Sequence, residues 1–396
     1  MTLDGERRPV ASVFLRGAFR PFFLGGALWA AVALALWLLS FSGLIGLPGA
    51  MEPPVWHRHE MLFGFVGAVV AGFLLTAIAN WTGRPPVSGA PLAALFALWI
   101  AGRAVLLGSA VIGPLAAAAV DAGFFVVLAL VAGREIVAAK NRNLPMVVLV
   151  LLLGAASGAD HAAAAGLLAD IDLGMRAAIA VVVVMISLIG GRIIPAFTRN
   201  WMTKQGATRR LPAPAGRYDL ATIAVTALAL AAWTGWAESR ATGLLLLAAA
   251  LLQIIRLARW GGERTARDPL LLILHIGYLW VPVGLALLGC SLIDGAVPRS
   301  AAIHALTAGA MGTMILAVMT RATLGHTGRE LRADAPTVLI YALVTLGAAL
   351  RVAASAGLVE YRLGMDIAGT GWGGAFLLFL AIYGPMLLRP RVDGKA

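Results

Sequence analysis

Six histidines offer the clearest chemistry in this sequence, because neutral imidazole is the commonest metal ligand in proteins and a standard axial ligand of haem iron. His57 and His59 stand in the segment WHRHE at residues 56–60, and His304 and His326 lie 22 residues apart. A helix rises 1.5 Å per residue, so this separation corresponds to roughly 33 Å. One metal ion therefore cannot contact both His304 and His326, and two separate sites are expected.

The other two histidines are isolated in the sequence. His275 lies inside an apolar run and is expected near the same end of the molecule as His326, where the two would form the second site. His161 follows a run rich in Ala and Gly, next to Asp160. It is expected to lie in a loop, exposed to solvent.

His57 and His59 are two residues apart, which matters for what they can bind. On a regular helix such residues point about 200° apart. If the segment is helical, the two imidazoles must serve different partners. Alternatively, Trp56, His57 and Arg58 only anchor the start of a helix at the lipid headgroups.

Glycine pairs and one arginine extend the set of candidate site residues. Gly64 and Gly67 are three residues apart, as are Gly309 and Gly312, so each pair shares a helix face. Glycine lets another helix or a flat macrocycle approach closely. Arg321 is expected near a helix end, where it either snorkels to lipid phosphate or clamps the propionates of a haem.

The composition defines the environment of these residues. Of 396 residues, 60% are hydrophobic and only 13% are charged, whereas soluble domains have about 25% charged residues. Apolar runs of the roughly 20 residues needed to cross a bilayer fill almost the whole chain. The net charge is +12. The basic residues lie in short loops between spans and form no basic patch on a soluble fold, so nucleic acid is not an expected partner.

The predicted fold is all-α: a polytopic membrane helix bundle that forms a single integral membrane domain over residues 1–396. About twelve transmembrane spans are expected. They are predicted at residues 19–41, 57–81, 91–109, 111–133, 144–159, 174–197, 219–237, 241–258, 269–292, 300–324, 336–356 and 367–388.

Basic residues predict the orientation of the bundle. With an even number of spans, both termini lie on one side of the membrane. That side carries 24 of the 31 Lys and Arg residues, the opposite side carries six, and Arg103 lies within a span. Cytoplasmic loops accumulate basic residues, so both termini are expected in the cytoplasm.

An internal repeat relates spans 2 and 10. With an offset of 245 residues, His59 aligns with His304, Gly64 with Gly309, and the TGR of residues 82–84 with that of residues 327–329. This pattern predicts two copies of one helix, each with a histidine at its outer end.

Two charged residues are expected near the middle of the membrane. Arg103 in span 3 and Asp121 in span 4 lie nine residues from the turn near residue 112, and thus at equal depth. An unpaired charge is costly there. A buried ion pair is expected, with a polar channel as the alternative.

Several long motifs, in order, resemble the NnrS family. They are RGAFRPFF at residues 16–23, WHRHEMLFGF at 56–65, GGRIIPAFTRNW at 190–201, HALT at 304–307 and RATLGHTGR at 321–329. The resemblance covers nearly the whole chain. It implies a twelve-span protein of the bacterial inner (cytoplasmic) membrane that contains haem, of the b type, and copper, accompanies denitrification and protects cells from nitric oxide.

The resemblance also implies which histidines hold the cofactors. The family's histidine positions fall on His57, His59, His275, His304 and His326, and His161 lies outside its motifs. With the repeat, this predicts one cofactor between His59 and His304, with Gly64 and Gly309 making room for it. His57 would then serve copper or a second haem.

Two function classes therefore remain open from the sequence. One is a haem and copper protein that binds or detoxifies nitric oxide, with nitric-oxide-consuming oxidoreductase activity as an extension. The other is a secondary transporter of a small solute, because twelve spans, an internal repeat and buried charges also suit transporters. A haem–copper quinol oxidase is less compatible, since the chain lacks adjacent His-His ligands and a His-x-x-x-Tyr motif.

Overall fold

The computed structural model describes residues 13–394, in which all regular secondary structure is helical and no strand occurs. Twelve helices in this part are long and apolar enough to cross a membrane, which confirms the predicted fold class. They are numbered here as spans 1 to 12: Phe19–Phe41, Pro53–Thr82, Gly89–Leu107, Pro114–Ala138, Leu144–Ala164, Leu173–Lys204, Arg217–Gly235, Arg240–Ala258, Pro269–Ile293, Arg299–His326, Ala335–Ser355 and Tyr361–Leu388.

Consecutive spans pack against each other along most of the chain, and span 12 returns to pack against span 1. Arg20 at the start of span 1 donates a hydrogen bond of 2.6 Å to the carbonyl of Leu387 at the end of span 12. The two ends of the described chain therefore lie on one side of the bundle, called the terminal side below. The opposite side is called the far side. Which of them faces the cytoplasm stays a prediction.

Several spans are longer than their hydropathy predicts, and the extensions of spans 5 and 6 matter for the candidate sites. Span 5 ends at Ala164 rather than near residue 159, and span 6 continues to Lys204 rather than ending near residue 197. The last turn of span 5 contains Asp160 and His161, whose polarity hides it from a hydropathy pattern. This extension places both side chains inside the protein.

Spans 2 and 10 share two local features. Each passes from α-helix to a π-helical segment after its outer histidine, at Glu60–Phe65 and at Ala305–Met311. Each is also followed by a glycine with positive φ, Gly83 and Gly328. The repeat itself stays a prediction, and these features are what two copies of one helix would share. Wide π turns often occur at functional sites.

Candidate metal and cofactor sites

His59 lies at the centre of a buried polar cluster on the far side. Its Nδ1 is 2.9 Å from Oδ2 of Asp160, and its Nε2 is 2.9 Å from Oδ2 of Asp121. All three side chains are buried. Buried carboxylates at both ring nitrogens fix the orientation of this imidazole.

His161 belongs to the same cluster. Its Nε2 lies 3.2 Å from Oδ2 of Asp121, to which the Ser157 hydroxyl donates at 2.8 Å. The prediction of a solvated His161 is therefore wrong, because span 5 continues through residue 164 and turns this side chain toward span 4. His59, Asp121 and His161 each present a ligand atom within 4.8 Å of the others.

Arg103 joins this cluster to a third carboxylate. It forms ion pairs with Asp121 and with Glu60, and all three groups are buried. The predicted pairing of Arg103 with Asp121 is confirmed. Glu60 was not among the predicted site residues, and it also accepts a hydrogen bond of 2.7 Å from the Trp29 indole. An acidic residue within a span is in itself a signal of a buried partner.

The charges of this cluster do not cancel without a further cation. Glu60, Asp121 and Asp160 contribute three negative charges. Arg103 contributes one positive charge. Arg58 contributes at most one more through its 3.1 Å contact with Asp160, because its guanidinium also pairs with Asp172. At least one negative charge remains when both imidazoles are neutral and all three carboxylates are ionised. The site therefore favours a proton on His59 or Glu60, or a bound cation.

A separate cavity of about 310 Å³ lies on the far side between spans 1, 2, 6, 10, 11 and 12. His57 and His304 both line it, and its wall is otherwise mainly apolar. Four methionines contribute thioethers and two arginines contribute charge: Met61, Met175, Met311, Met365, Arg58 and Arg351. A cavity of this size and character is typical of small-molecule and cofactor sites.

Both histidines of the cavity have a ring nitrogen available for a ligand. Nδ1 of His304 lies 2.6 Å from the carbonyl of Ser300, to which it must donate, so Nε2 keeps its lone pair. The His57 ring stacks on Trp37 with 4.8 Å between centroids. Its buried Nδ1 has no hydrogen-bond partner among the described residues, which is unusual for a buried polar atom.

The structure corrects the expected grouping of these histidines. His304 shares its cavity with His57, whereas His59 faces spans 4 and 5. The glycines leave no room for a shared cofactor either. A Cβ at Gly64 would overlap Glu60 and Arg103, and one at Gly309 would overlap Trp280.

The remaining predicted site residues lie toward the terminal side, among different neighbours. Nε2 of His275 is 2.9 Å from the Thr198 hydroxyl. The His326 ring lies 5.2 Å from the Phe19 ring. The expected joint site of these two histidines is therefore not formed by direct contact between them. The Arg321 guanidinium lies 4.3 Å from the centroid of the Phe197 ring.

A second cavity lies next to the first along spans 2, 6 and 10. It has a volume of about 90 Å³ and an almost wholly apolar lining. Val66 and Met311 line both cavities. The space beside the histidine-lined cavity, toward the middle of the bundle, is therefore suited to a small uncharged molecule rather than to an ion.

Comparison with protein families matches residues 13–391 to the family described as NnrS protein. A comparison with curated proteins finds no match. The family match covers all twelve spans and both sites described above.

Proposed function

This chain belongs to the NnrS family, and we propose that it is a haem- and copper-containing protein of the bacterial inner membrane that binds nitric oxide. Its role would be protection against nitrosative stress during denitrification. The observation that carries the proposal is the far-side cavity, which is mainly apolar and is lined by both His304 and His57.

The cavity residues fit a haem. His304 provides an imidazole whose Nδ1 is held by a backbone carbonyl, the usual arrangement for a metal-binding histidine. His57 provides an unpaired buried nitrogen, and Arg351 provides positive charge in the cavity wall. Bound there, haem would supply the iron that binds nitric oxide.

The protein's own contribution is orientation and access. The hydrogen bond to Ser300 fixes the tautomer and direction of the His304 ring. The mainly apolar wall favours an apolar occupant over water. The neighbouring apolar cavity suits nitric oxide, which is small, uncharged and soluble in lipid, and admits ions poorly. Nitric-oxide-consuming oxidoreductase activity stays a prediction that also requires an electron donor.

The visible spectrum of the purified full chain tests this proposal. A Soret band that shifts on addition of nitric oxide is expected, and His304→Ala should abolish it. Thr307→Val is the matched control, because Thr307 lines the same wall and its hydroxyl bonds only the carbonyl of Ile303 in its own helix. A colourless wild-type protein would reject the proposal.

A secondary transporter is the second candidate, and buried charge is the observation that favours it. Arg103 with Asp121, and Arg256 with Asp219, are ion pairs inside the bundle, and charges within the membrane often mark transport pathways. A colourless protein that moves a solute across proteoliposomes would support this candidate over haem binding.

A further inference from the structure

We propose that His59, Asp121 and His161 form a second metal site that binds one first-row transition-metal ion, separate from the cavity of His57 and His304. The site itself is argued from its own geometry. It rests on the proposed function only for the expectation that the ion is copper.

The spacing of the three ligand atoms fits a common ion. Metal–nitrogen and metal–oxygen bonds of about 2.0–2.2 Å at angles of 90–110° place neighbouring ligand atoms roughly 2.9–3.4 Å apart. Nε2 of His59 and Nε2 of His161 lie 2.9 and 3.2 Å from Oδ2 of Asp121. All three ligand atoms lie within 4.8 Å of one another. The two distances to Asp121 fit a bound ion as they stand, and an approach of the two imidazoles toward each other would complete the site.

Oδ2 of Asp121 has more potential hydrogen-bond donors around it than one carboxylate oxygen readily accepts. Its Oδ2 has three potential donors within 3.2 Å, from Ser157, His59 and His161, although one oxygen offers only about two lone-pair directions. Its Oδ1 is occupied by Arg103. A metal ion between the two imidazoles and the carboxylate relieves this excess, because both Nε2 atoms then act as ligands.

The residues around the triad have the arrangement that supports metal ligands. Asp160 accepts from Nδ1 of His59 at 2.9 Å, which directs the lone pair of Nε2 toward Asp121. Such carboxylate–histidine pairs orient the ring and raise its basicity toward a metal. Ser157 and Arg103 hold the Asp121 carboxylate in place.

Charge favours an occupant with a positive charge. Three buried carboxylates, the buried Arg103 and the partly exposed Arg58 together keep at least one negative charge when both imidazoles are neutral and the carboxylates are ionised. A copper(I) ion balances one such charge, and a divalent ion with a bound hydroxide does the same. A proton on His59 or Glu60 is the competing occupant, and measured metal content distinguishes it from a metal.

Access to the site comes from the far side. A cavity of about 130 Å³ is lined by His161, together with Ser109, Met51 and small apolar residues. An ion in this cavity is next to one of its three ligands. The site therefore has the access path that a metal site requires.

The ligand set selects the kind of ion. Two imidazoles and one carboxylate suit copper, zinc or iron, and not calcium or magnesium, which prefer oxygen ligands. Copper(II) binds most tightly among the divalent first-row ions. The measurement is the metal content of the purified full chain, dialysed separately against copper, zinc or iron(II), with haem quantified in the same samples.

The wild type should retain about one tightly bound ion per chain, and His161→Gln should lose it while keeping the haem spectrum. Asp160→Asn should bind the ion about 10–100-fold more weakly, as expected for loss of a group that orients a ligand. Asp219→Asn is the control, because it disrupts a buried ion pair with Arg256 outside the triad. It should keep the metal.

Electron paramagnetic resonance of the copper(II)-loaded wild type provides a test that needs no variant to fold. Splitting from two imidazole nitrogens is expected. The proposal is overturned if none of the three ions binds with 1:1 stoichiometry, if the copper signal lacks this splitting, or if His161→Gln retains full affinity. A metal-binding protein without haem would reject the proposed function and leave this site standing.

Discussion

His57 and His59 stand two residues apart on span 2 and have entirely different surroundings. His57 stacks on Trp37 and lines the large far-side cavity. His59 is enclosed between the carboxylates of Asp121 and Asp160. One helix turn thus contributes to two separate sites.

Bound haem should depend on His57 and not on His59, because only His57 lines the large far-side cavity. His57→Ala should reduce bound haem as His304→Ala does, because both rings line one cavity. His59→Ala should leave the Soret band in place, since its ring faces the buried carboxylates. Pyridine haemochrome assays of the three variants measure this. Loss of haem in His59→Ala together with full retention in His57→Ala would contradict it.

Removal of the Arg103 charge should lower the free energy of unfolding strongly. Arg103→Met strands the buried carboxylates of Glu60 and Asp121, which should lower the free energy of unfolding by about 3–5 kcal/mol. Adding Glu60→Gln should recover part of this loss. Unfolding in mixed micelles with increasing denaturing detergent gives the values.

Arg84→Met is the matched control for Arg103. Arg84 pairs with Glu135 at 2.6 Å but is well exposed, and exposed pairs contribute about 0–1 kcal/mol. Equal losses in the two arginine variants would show that the buried network does not stabilise the bundle.

Tyr278 connects a second buried network, among spans 6 to 9. Its hydroxyl lies 2.9 Å from the Arg256 guanidinium and donates to Gln253 at 2.7 Å. Tyr278→Phe should cost about 1–3 kcal/mol, because it leaves buried polar groups unpaired. Tyr361→Phe, at an exposed position, should stay within about 0.5 kcal/mol of the wild type. The same unfolding assay compares them.

Acid should reduce the stabilisation that the Asp170–Arg176 ion pair gives to the loop between spans 5 and 6. The Arg176 guanidinium, through its hydrogen bond, holds the pKa of the Asp170 carboxyl below its ordinary value of 3.8. The stabilisation is therefore present above pH 3.8 and is lost as the pH falls through the lower folded-state pKa. Asp170 is half-exposed, so the effect should stay below about 1 kcal/mol.

The melting temperature measures this effect. Between pH 5 and pH 2.5, the melting temperature of the wild type should fall further than that of Asp170→Asn, because the variant has no carboxylate to protonate at this position. A parallel fall in both proteins would contradict the role assigned to Asp170.

The orientation of the bundle is open to a direct test. Green fluorescent protein fused after residue 396 should fluoresce, and alkaline phosphatase fused there should stay inactive, because the basic residues place this terminus in the cytoplasm. Alkaline phosphatase inserted at residue 168, in the loop after span 5, should be active. The opposite pattern would invert the predicted topology.

Local patterns in the sequence were sufficient for much of this description. Twelve spans follow from hydropathy, because the cost of placing a residue in lipid depends mainly on that residue. The Arg103–Asp121 pair follows from equal depth in one hairpin. The opposite directions of His57 and His59 follow from the helical period of 100° per residue.

Only the tertiary structure decided which of these residues share a site. Depth along a helix can be counted from the sequence, but rotation about the helix axis and contact between distant spans depend on the packing of all twelve helices. Span 5 turns His161 toward Asp121, and span 10 turns His304 toward His57. The position of Glu60 inside a span signals a buried partner, but which groups compensate Glu60 and Asp160 depends on the packing of other spans against them.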